Sequence, residues 1–260
     1  MLEINKIHQV DCLQVMKELP DKYFDLIITD PPYGIGINKM NFVTSGAIKV
    51  GGAYRNDYSN HNTEWDNALL GKEFFDEMIR VSKNQVIFGA EHLCINLPRS
   101  RGWIVWDKRI EDKYSNDFAD CELAWTSFDK PTKCFRYLWS GMLQSEMGLY
   151  KERRIHPTQK PIPLGRWILD KFAKPNDLIF DPFSGSGSFL IACKQLGFNF
   201  IGCEIDPNYC DVANKRLSQE TLLDVTKFEV KSRCNANGDI SSSNKLAGFV
   251  GSVIENQEYD

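Results

Sequence analysis

The sequence predicts an α/β fold with a mostly parallel sheet, and three observations support this prediction. Residues 6–29 alternate strand, helix and strand, and residues 177–217 repeat the alternation with a glycine-rich turn before the first helix. The strand at Phe24–Thr29 is a nearly continuous apolar run that stops at Asp30 and two prolines. Strands that alternate with helices are typical of parallel sheets, and continuous apolar runs are typical of their inner strands. Phe24–Thr29 is therefore expected to be buried on both faces.

The other elements follow from the same two periodicities. Short runs of β-branched, aromatic and aliphatic residues predict strands, and apolar residues spaced three and four apart predict helices. In chain order the expected strands are 6–10, 24–29, 85–89, 102–108, 121–126, 177–181 and 198–203, and the expected helices are 13–19, 69–81, 91–97, 164–173, 189–196 and 207–217. No crossover helix separates 102–108 from 121–126, so these two strands are expected to form an antiparallel hairpin at the sheet edge.

One domain, residues 1–223, is expected to hold all of these elements, because a chain of 260 residues can bury a sizeable core. Residues 34–67 are rich in Gly and Asn and have no sustained period. So long an irregular segment predicts a mobile loop that closes over a substrate, with a disordered insertion as the alternative. The apolar pattern decays after residue 223, which predicts a largely disordered tail at 224–260.

Composition narrows the class of protein. The apolar content of 42% and the charged content of 25% are typical of soluble proteins. No apolar run approaches membrane-spanning length and the first residues lack the apolar block of a signal peptide, so a cytoplasmic protein is expected. The eight cysteines include no C-x-x-C pair and the four histidines no H-x-x-x-H pair, so no metal site is expected.

The charge is unevenly spread along the chain. The net charge is −4, yet residues 130–160 carry seven Lys or Arg against two Glu. Lys and Arg interleaved with aromatic residues suit a phosphate backbone and stacked bases, so residues 127–155 are expected to be a short basic target-contact segment. The alternatives are a solvated charged face and, for the aromatic residues, a small local core.

Residues 30–33 (D-P-P-Y) predict a site for an amino group on a flat ring. The carboxylate of Asp30 and the carbonyl of Pro31 can only accept hydrogen bonds, and Tyr33 offers an aromatic face. Open α/β sheets bind their ligands at the carboxyl ends of strands, which is where this motif falls. An ordinary polar turn at the end of a strand is the alternative.

The second informative region predicts a nucleoside cofactor. Gly185 and Gly187 lie between a strand and a helix, where glycines let the backbone approach a ligand closely. Glu204 ends the next strand and is placed to accept hydrogen bonds from two ribose hydroxyls. The loop has neither the P-loop sequence nor the full dinucleotide spacing, which favours a cofactor without a pyrophosphate.

Taken together, these motifs resemble those of the DNA amino-methyltransferases, which use S-adenosylmethionine. The matching segments are 11–12 (D-C), 30–33 (D-P-P-Y), 102–108 (G-W-I-V-W-D-K), 156–161 (H-P-T-Q-K-P) and 181–187 (D-P-F-S-G-S-G). The order, with D-P-P-Y ahead of F-x-G-x-G, resembles the β group of adenine-specific enzymes. The resemblance implies a Rossmann-like methyltransferase fold over about residues 4–220.

The resemblance also implies roles for individual residues. It assigns catalysis to one set: Asp30, Pro31, Pro32 and Tyr33. It assigns cofactor binding to a second set, in which Phe183, Gly185 and Gly187 line the pocket. In this set Asp181 holds the methionine end of the cofactor near its amino group, and Glu204 binds the ribose. Thr158 and Lys160 contact the cofactor carboxylate, and Asp11 and Cys12 border the adenine. A surface lysine is the alternative for Lys160, and a core thiol is the alternative for Cys12.

The function implied is site-specific transfer of a methyl group from S-adenosylmethionine to N6 of adenine in duplex DNA. The base would be flipped out of the helix, and transfer would be direct and in line, without a metal. The alternatives are N4 of cytosine, an amine of RNA or of a protein glutamine, and a non-catalytic binding module. Double-stranded DNA is the expected partner, and a second copy of the chain and a restriction endonuclease are further candidates.

Overall fold

One eight-stranded mixed sheet organises the part of the chain that the structure describes. The structure is a computed structural model, and it describes residues 2–34, 49–50, 53–54, 69–109, 119–140, 143–146, 151–156 and 158–219. All of these residues fall in one unit of the chain, Met1–Gln219.

The elements are numbered in chain order. The strands are β1 Lys6–Gln9, β2 Phe24–Thr29, β3 Lys49–Val50, β4 Ala53–Tyr54, β5 Ser82–Phe88, β6 Trp103–Asp107, β7 Cys121–Thr126, β8 Lys133–Arg136, β9 Trp139–Ser140, β10 Leu143–Gln144, β11 Leu178–Asp181 and β12 Asn199–Glu204. The helices are α1 Cys12–Glu18, α2 Lys72–Val81, α3 Ala90–Leu93, α4 Ile162–Phe172, α5 Ser188–Leu196 and α6 Pro207–Ser218, and a 3₁₀ turn at Cys94–Asn96 follows α3.

The strand order across the sheet is β1-β12-β11-β2-β5-β7-β6-β8. The first five of these strands are parallel, and β7 is antiparallel to both of its neighbours. After β11 the chain forms its next strand, β12, on one side of β11. After β2 the next strand of the same sheet, β5, lies in the opposite direction across the sheet. The sheet therefore has a topological switch point between β2 and β11, and ligands of open α/β sheets bind in the crevice that forms there.

The core lies on both faces of the sheet, as the apolar sequence of β2 predicts. Leu26 and Ile28 point into the cluster formed with helices α4, α5 and α6. Phe24 and Ile27 point into the opposite cluster, formed with α1 and α2. All four side chains are at most 1% exposed, so β2 is buried on both faces.

The hairpin of residues 102–108 and 121–126 is present as β6 and β7, which pair antiparallel. Its predicted position at the sheet edge is wrong, because β8 pairs in parallel with the outer side of β6. Strand β8 was missed because its sequence, K-C-F-R, has no alternating apolar pattern, and three of its four residues are exposed.

Four aromatic residues of the basic segment pack inward. Tyr137 and Trp139 are buried in the core, and Phe128 and Phe135 pack against it. Phe128 contacts Phe172 of α4 with ring centroids 5.0 Å apart. These four rings are therefore core residues, and the exposed Lys and Arg side chains of the segment are left as the prospective phosphate contacts.

Two sequence predictions concern residues outside the described ranges. The loop at 34–67 is described only at Gly34 and in the short β3–β4 hairpin, and the tail at 224–260 is not described. Among the described residues, no helix combines the length and apolar character needed to cross a membrane. Within the same residues, no group of three or more His, Cys, Asp or Glu side chains could hold a metal ion.

Candidate active site

The predicted site residues meet along one edge of the sheet. Asp11, Glu204, Asp181 and Asp30 lie at the carboxyl ends of β1, β12, β11 and β2, which are neighbours in that order. Because these strands are parallel, their carboxyl ends share an edge. Residues that are far apart in the sequence are therefore brought into one crevice that spans the switch point.

The side chain of Glu204 accepts hydrogen bonds from the glycine loop after β11 and from the backbone just after β12. Gly185 and Gly187 have φ of +49° and +76°, a region that L side chains rarely adopt. The Gly185 amide donates to Glu204 Oε2 at 2.8 Å, and the Asp206 amide donates to Oε1 at 2.8 Å. Burial raises the pKa of Glu204 above its ordinary value. Each carboxylate oxygen keeps a lone pair, so the group can still accept from a bound hydroxyl.

Asp181 is a buried carboxyl at the centre of the crevice. It is 1% exposed, and its Oδ1 accepts the Thr29 hydroxyl at 2.7 Å and the Phe183 amide at 3.2 Å. Burial, together with the charges of the nearby Asp30 and Glu204 carboxylates, raises the pKa of Asp181 to about 7. A bound cation would favour the ionised form, so the site is suited to a positively charged group.

Asp11 and Cys12 lie beside Glu204 at the end of β1. The Val10 amide donates to the Glu204 carbonyl at 3.2 Å, which ties the two strand ends together. Asp11 caps helix α1 by accepting the Leu13 amide at 2.8 Å. Cys12 is 6% exposed, and burial raises its pKa to about 12, so this side chain is a neutral thiol in the crevice wall.

Asp30 is hydrogen-bonded through both of its oxygens. Oδ1 accepts the Tyr33 hydroxyl, and Oδ2 accepts the Lys160 ammonium. Burial raises the pKa of Asp30, and the positive charge of Lys160 opposes that effect. Pro31 is buried and Pro32 partly buried directly after the strand, and their rings remove two amide donors from this wall of the crevice.

The ring of Tyr33 lies in a cradle that the sequence analysis missed. Gly89, at the end of β5, has φ of +69°, and a Cβ there would stand 1.9 Å from the Tyr33 ring. His92 stacks on Tyr33 with ring centroids 5.3 Å apart. Burial raises the pKa of Tyr33 well above its usual range, and Asp30 adds to the effect, so the phenol stays protonated. The available signal was a glycine directly after a buried strand.

The H-P-T-Q-K-P segment contacts both halves of the crevice. His156 packs on Tyr209, with ring centroids 4.3 Å apart, and lies 3.7 Å from where a Cβ of Gly185 would stand. Thr158 Oγ1 is 3.1 Å from His156 Nδ1. Lys160 is 6% exposed, so it is not a surface lysine, and its ammonium contacts Asp30. The predicted contact of Thr158 and Lys160 with a cofactor carboxylate stays a prediction.

Comparison with known proteins gives one family and several relatives. The family described as DNA methylase matches residues 99–215. The Type II methyltransferase M1.MboII of Moraxella bovis is 25% identical over 267 residues, covering 84% of this chain and 98% of the relative. The Type II methyltransferase M.HinfI of Haemophilus influenzae is 28% identical over 259 residues, covering 83% of this chain and 69% of the relative.

A solved structure is similar in fold. The PvuII DNA methyltransferase (cytosine-N4-specific) superposes with a TM-score of 0.53 at 14% identity, covering 87% of this chain and 91% of that chain. This likeness supports the mixed α/β architecture. Residues 99–215 thus match the DNA methylase family, and more than four fifths of the chain is similar in sequence to Type II methyltransferases.

Proposed function

We propose that this protein is a DNA methyltransferase that modifies the exocyclic N6 amine of adenine at a specific duplex sequence. The observation that carries the proposal is the joining of two half-sites across the switch point. One half is the acceptor wall at Asp30 and Tyr33, and the other is the glycine loop with Asp181 and Glu204. An amine acceptor site beside a nucleoside site is the arrangement that methyl transfer to a base requires.

The cofactor is S-adenosylmethionine, and the residues present fit it. Asp181 offers a buried carboxylate to the positively charged methionine end. Glu204 has lone pairs for the ribose hydroxyls, and at Gly185 the space beside the backbone, where a Cβ would stand 3.7 Å from His156, is free of a side chain. When bound, the cofactor supplies an electrophilic methyl group on a sulfonium. Asp11 and Cys12 stand at the far end of the same wall, where an adenine ring would lie.

The acceptor wall makes the amine a better nucleophile. The nitrogen of an aromatic amine is weakly nucleophilic because its lone pair is conjugated with the ring. Asp30 and the carbonyl of Pro31 accept the two amine hydrogens and favour a localised lone pair. Tyr33 stacks on the ring. Positioning and electrostatics then supply the catalysis, and the chain forms no covalent intermediate.

Duplex DNA reaches this crevice only with the base rotated out of the helix. The exposed basic side chains of the 127–155 segment, which are Lys130, Lys133, Arg136, Lys151 and Arg153, supply phosphate contacts for that complex. Transfer to N4 of cytosine would use the same acceptors. Among the DNA amino-methyltransferases that this chain resembles, the cytosine enzymes more often carry Ser at the position of Asp30, so Asp30 favours adenine. A second copy of the chain and a restriction endonuclease stay predicted partners.

The test is a transfer assay with radiolabelled S-adenosylmethionine and purified protein. Genomic DNA, RNA and protein extracts serve as separate acceptors, and the DNA is then digested and its bases identified by mass spectrometry. N6-methyladenine in DNA is the expected product. N4-methylcytosine would reassign the base, and label confined to RNA or protein would overturn the proposal. Methylation-sensitive sequencing of DNA from expressing cells then gives the target sequence.

Glu204→Gln is expected to weaken cofactor binding by about tenfold, the scale of one charge-assisted hydrogen bond. The amide group has one acceptor oxygen for two backbone donors and the ribose. Titration calorimetry with S-adenosylmethionine measures the change. Asp206→Asn is the matched control, because it removes a charge two residues away and keeps an oxygen that can accept the Asn208 and Tyr209 amides. Equal affinities in the two variants would remove Glu204 from the ribose role.

A further inference from the structure

Asp30 and three further side chains, Lys160, Glu122 and Lys108, form one continuous charged cluster. The Lys160 ammonium contacts Asp30 and lies 3.1 Å from Glu122 Oε2. The Lys108 ammonium donates to Glu122 Oε1 at 3.1 Å. The side chains of all four residues are between 6% and 21% exposed. Two carboxylates and two ammonium groups therefore balance one another in a region with little water.

Glu122 is the member of this charged cluster whose backbone lies within the sheet. It lies inside β7 and pairs with Trp106 of β6, so its backbone is held by the sheet. Lys108 follows β6 directly, and its amide donates to the Asp120 carbonyl at 2.9 Å. Lys160 instead lies just before helix α4, outside any strand. The sheet thus fixes the position of the carboxylate to which the Lys160 ammonium can bind.

The contacts of Asp30 raise a problem for the proposed reaction. An incoming amine needs an acceptor on Asp30, yet Oδ1 accepts from Tyr33 and Oδ2 accepts from Lys160. Each oxygen keeps a lone pair, but the amine has to share one oxygen with Tyr33 or Lys160, so its hydrogen bond competes with that donor for the carboxylate charge. A buried ammonium that lost its carboxylate without another partner would be strongly destabilised. Glu122 already stands 3.1 Å from Lys160 and can take the ammonium without a new charge being brought in.

We propose that Glu122 is a positioning residue for methyl transfer: it retains the ammonium of Lys160 so that Asp30 can give that contact to the amine of the base. Lys108 neutralises the second oxygen of Glu122 and keeps the pair oriented. Glu122 acts through Lys160 and does not touch the reacting atoms. This inference rests on the proposed function, because it presumes an amine acceptor at Asp30.

The ionisation of the pair supports a fixed-charge role. Burial lowers the pKa of Lys160, but Asp30 and Glu122 overcome that effect, and the pKa lies above its ordinary value. Burial raises the pKa of Glu122, but Lys160 and Lys108 overcome it, and the pKa lies below its ordinary value. Both groups therefore stay charged through the neutral range, and Glu122 serves as an anchor instead of a proton donor.

Glu122→Gln tests the proposal because the amide keeps the shape and removes the charge. Lys160 would then bind Asp30 alone and compete with the amine. The expected result is a kcat lowered by about tenfold to a hundredfold with unchanged cofactor affinity. Among the described residues, the groups that face Asp30 are Lys160, Glu122, Tyr33 and Asp181. Loss of the negative charge of Glu122 lowers the pKa of Asp30. In a plot of kcat against pH, the fall in kcat at acid pH (the acid limb) is therefore expected to move to lower pH.

Two variants separate this role from a merely structural one. Glu152→Gln changes another buried carboxylate, which accepts from Gln159 at 2.7 Å and pairs with Arg216 at 3.0 Å. It is expected to lower the melting temperature and to leave the acid limb in place. Glu122→Asp keeps the charge and is expected to return the limb toward its wild-type position. Equal displacement of the limb by Glu122→Gln and Glu152→Gln would overturn the proposal.

A second readout needs no substrate. The Asp30 carboxyl can be titrated by carbon-13 NMR and assigned by its absence in Asp30→Asn. A lower midpoint in Glu122→Gln than in the wild type supports the coupling, and an unchanged midpoint contradicts it. Absence of transfer to DNA by the wild type would contradict the proposed function, while the titration still decides whether Glu122 controls the charge at Asp30.

Discussion

The Asp30→Asn protein is expected to transfer methyl groups about a hundredfold to a thousandfold more slowly than the wild type, with normal affinity for the cofactor. The amide oxygen is expected to stay on the Lys160 ammonium, which is the stronger donor. The amide nitrogen then faces Tyr33 and the incoming amine, where an acceptor is needed. The hydrogen bonds of Asp181 and Glu204 do not involve Asp30, and at pH 8, where Asp181 is already ionised, loss of the Asp30 charge leaves the cofactor residues unchanged.

Single-turnover kinetics and calorimetry on the same preparation measure the two quantities separately. Asp25→Asn is the matched control: Asp25 lies in β2, the strand that Asp30 directly follows, and it also pairs with a lysine, Lys83, at 2.6 Å. It lies near the opposite end of β2 from the crevice, and its variant is expected to keep the wild-type transfer rate. Full activity in Asp30→Asn would refute the acceptor mechanism. Loss of cofactor binding in this variant would show that the amine-acceptor site and the cofactor site cannot be changed independently.

The affinity for S-adenosylmethionine is expected to rise by about tenfold per pH unit below pH 7 and to level off above it. The cause is Asp181, whose pKa burial raises to about 7. Below that pH the group is a neutral acid and offers no negative charge to a cation. Above it the carboxylate is ionised and attracts the positive methionine end. Calorimetry between pH 5.5 and 8 measures the slope.

Asp181→Asn is expected to bind the cofactor weakly and with no pH dependence in this range. The amide oxygen can still accept from Thr29 and Phe183, because both bonds go to the same oxygen, Oδ1. The fold should therefore survive the change. A wild-type slope retained by Asp181→Asn would assign the titration to another group.

The same carboxyl should destabilise the folded protein at high pH. Its pKa in the folded state is raised to about 7 from the ordinary value of 3.8. The folded state therefore holds the proton more tightly, and its stability falls as pH rises from the ordinary value through about 7. Asp181→Asn lacks this penalty, so its melting temperature should gain on the wild type between pH 5.5 and pH 8. A constant difference over that range would count against the raised pKa.

Much of the fold could be predicted because local sequence decides it. Strands β2 and β7 have the predicted bounds, Phe24–Thr29 and Cys121–Thr126. The two prolines end β2 at Asp30 whatever the rest of the chain does. The glycine loop and Glu204 were located by their place after strands, since the parallel sheet brings such ends together. Their assigned roles stay predictions.

The remaining features depend on contacts between distant residues. A lysine and a glutamate normally stay exposed, and nothing near Lys160 or Glu122 in the sequence predicts that they are buried against each other. A glycine is needed at position 89 because the ring of Tyr33, which follows a different strand, occupies the space that a side chain would fill. The aromatic residues of the basic segment were ambiguous because burial and stacking on bases favour the same side chains.

The strand order has a consequence for how the protein is made. Strands β11 and β12 come last in the described chain but lie inside the sheet, between β1 and β2. Lys6 pairs with Ile201, so β1 has no strand neighbour until β12 has been synthesised. Such distant pairings slow folding, and unpaired strand edges favour association between chains. A nascent chain on the ribosome therefore keeps one side of β2 unpaired, and the sheet around Asp30 is completed only after residues 178–204 have emerged.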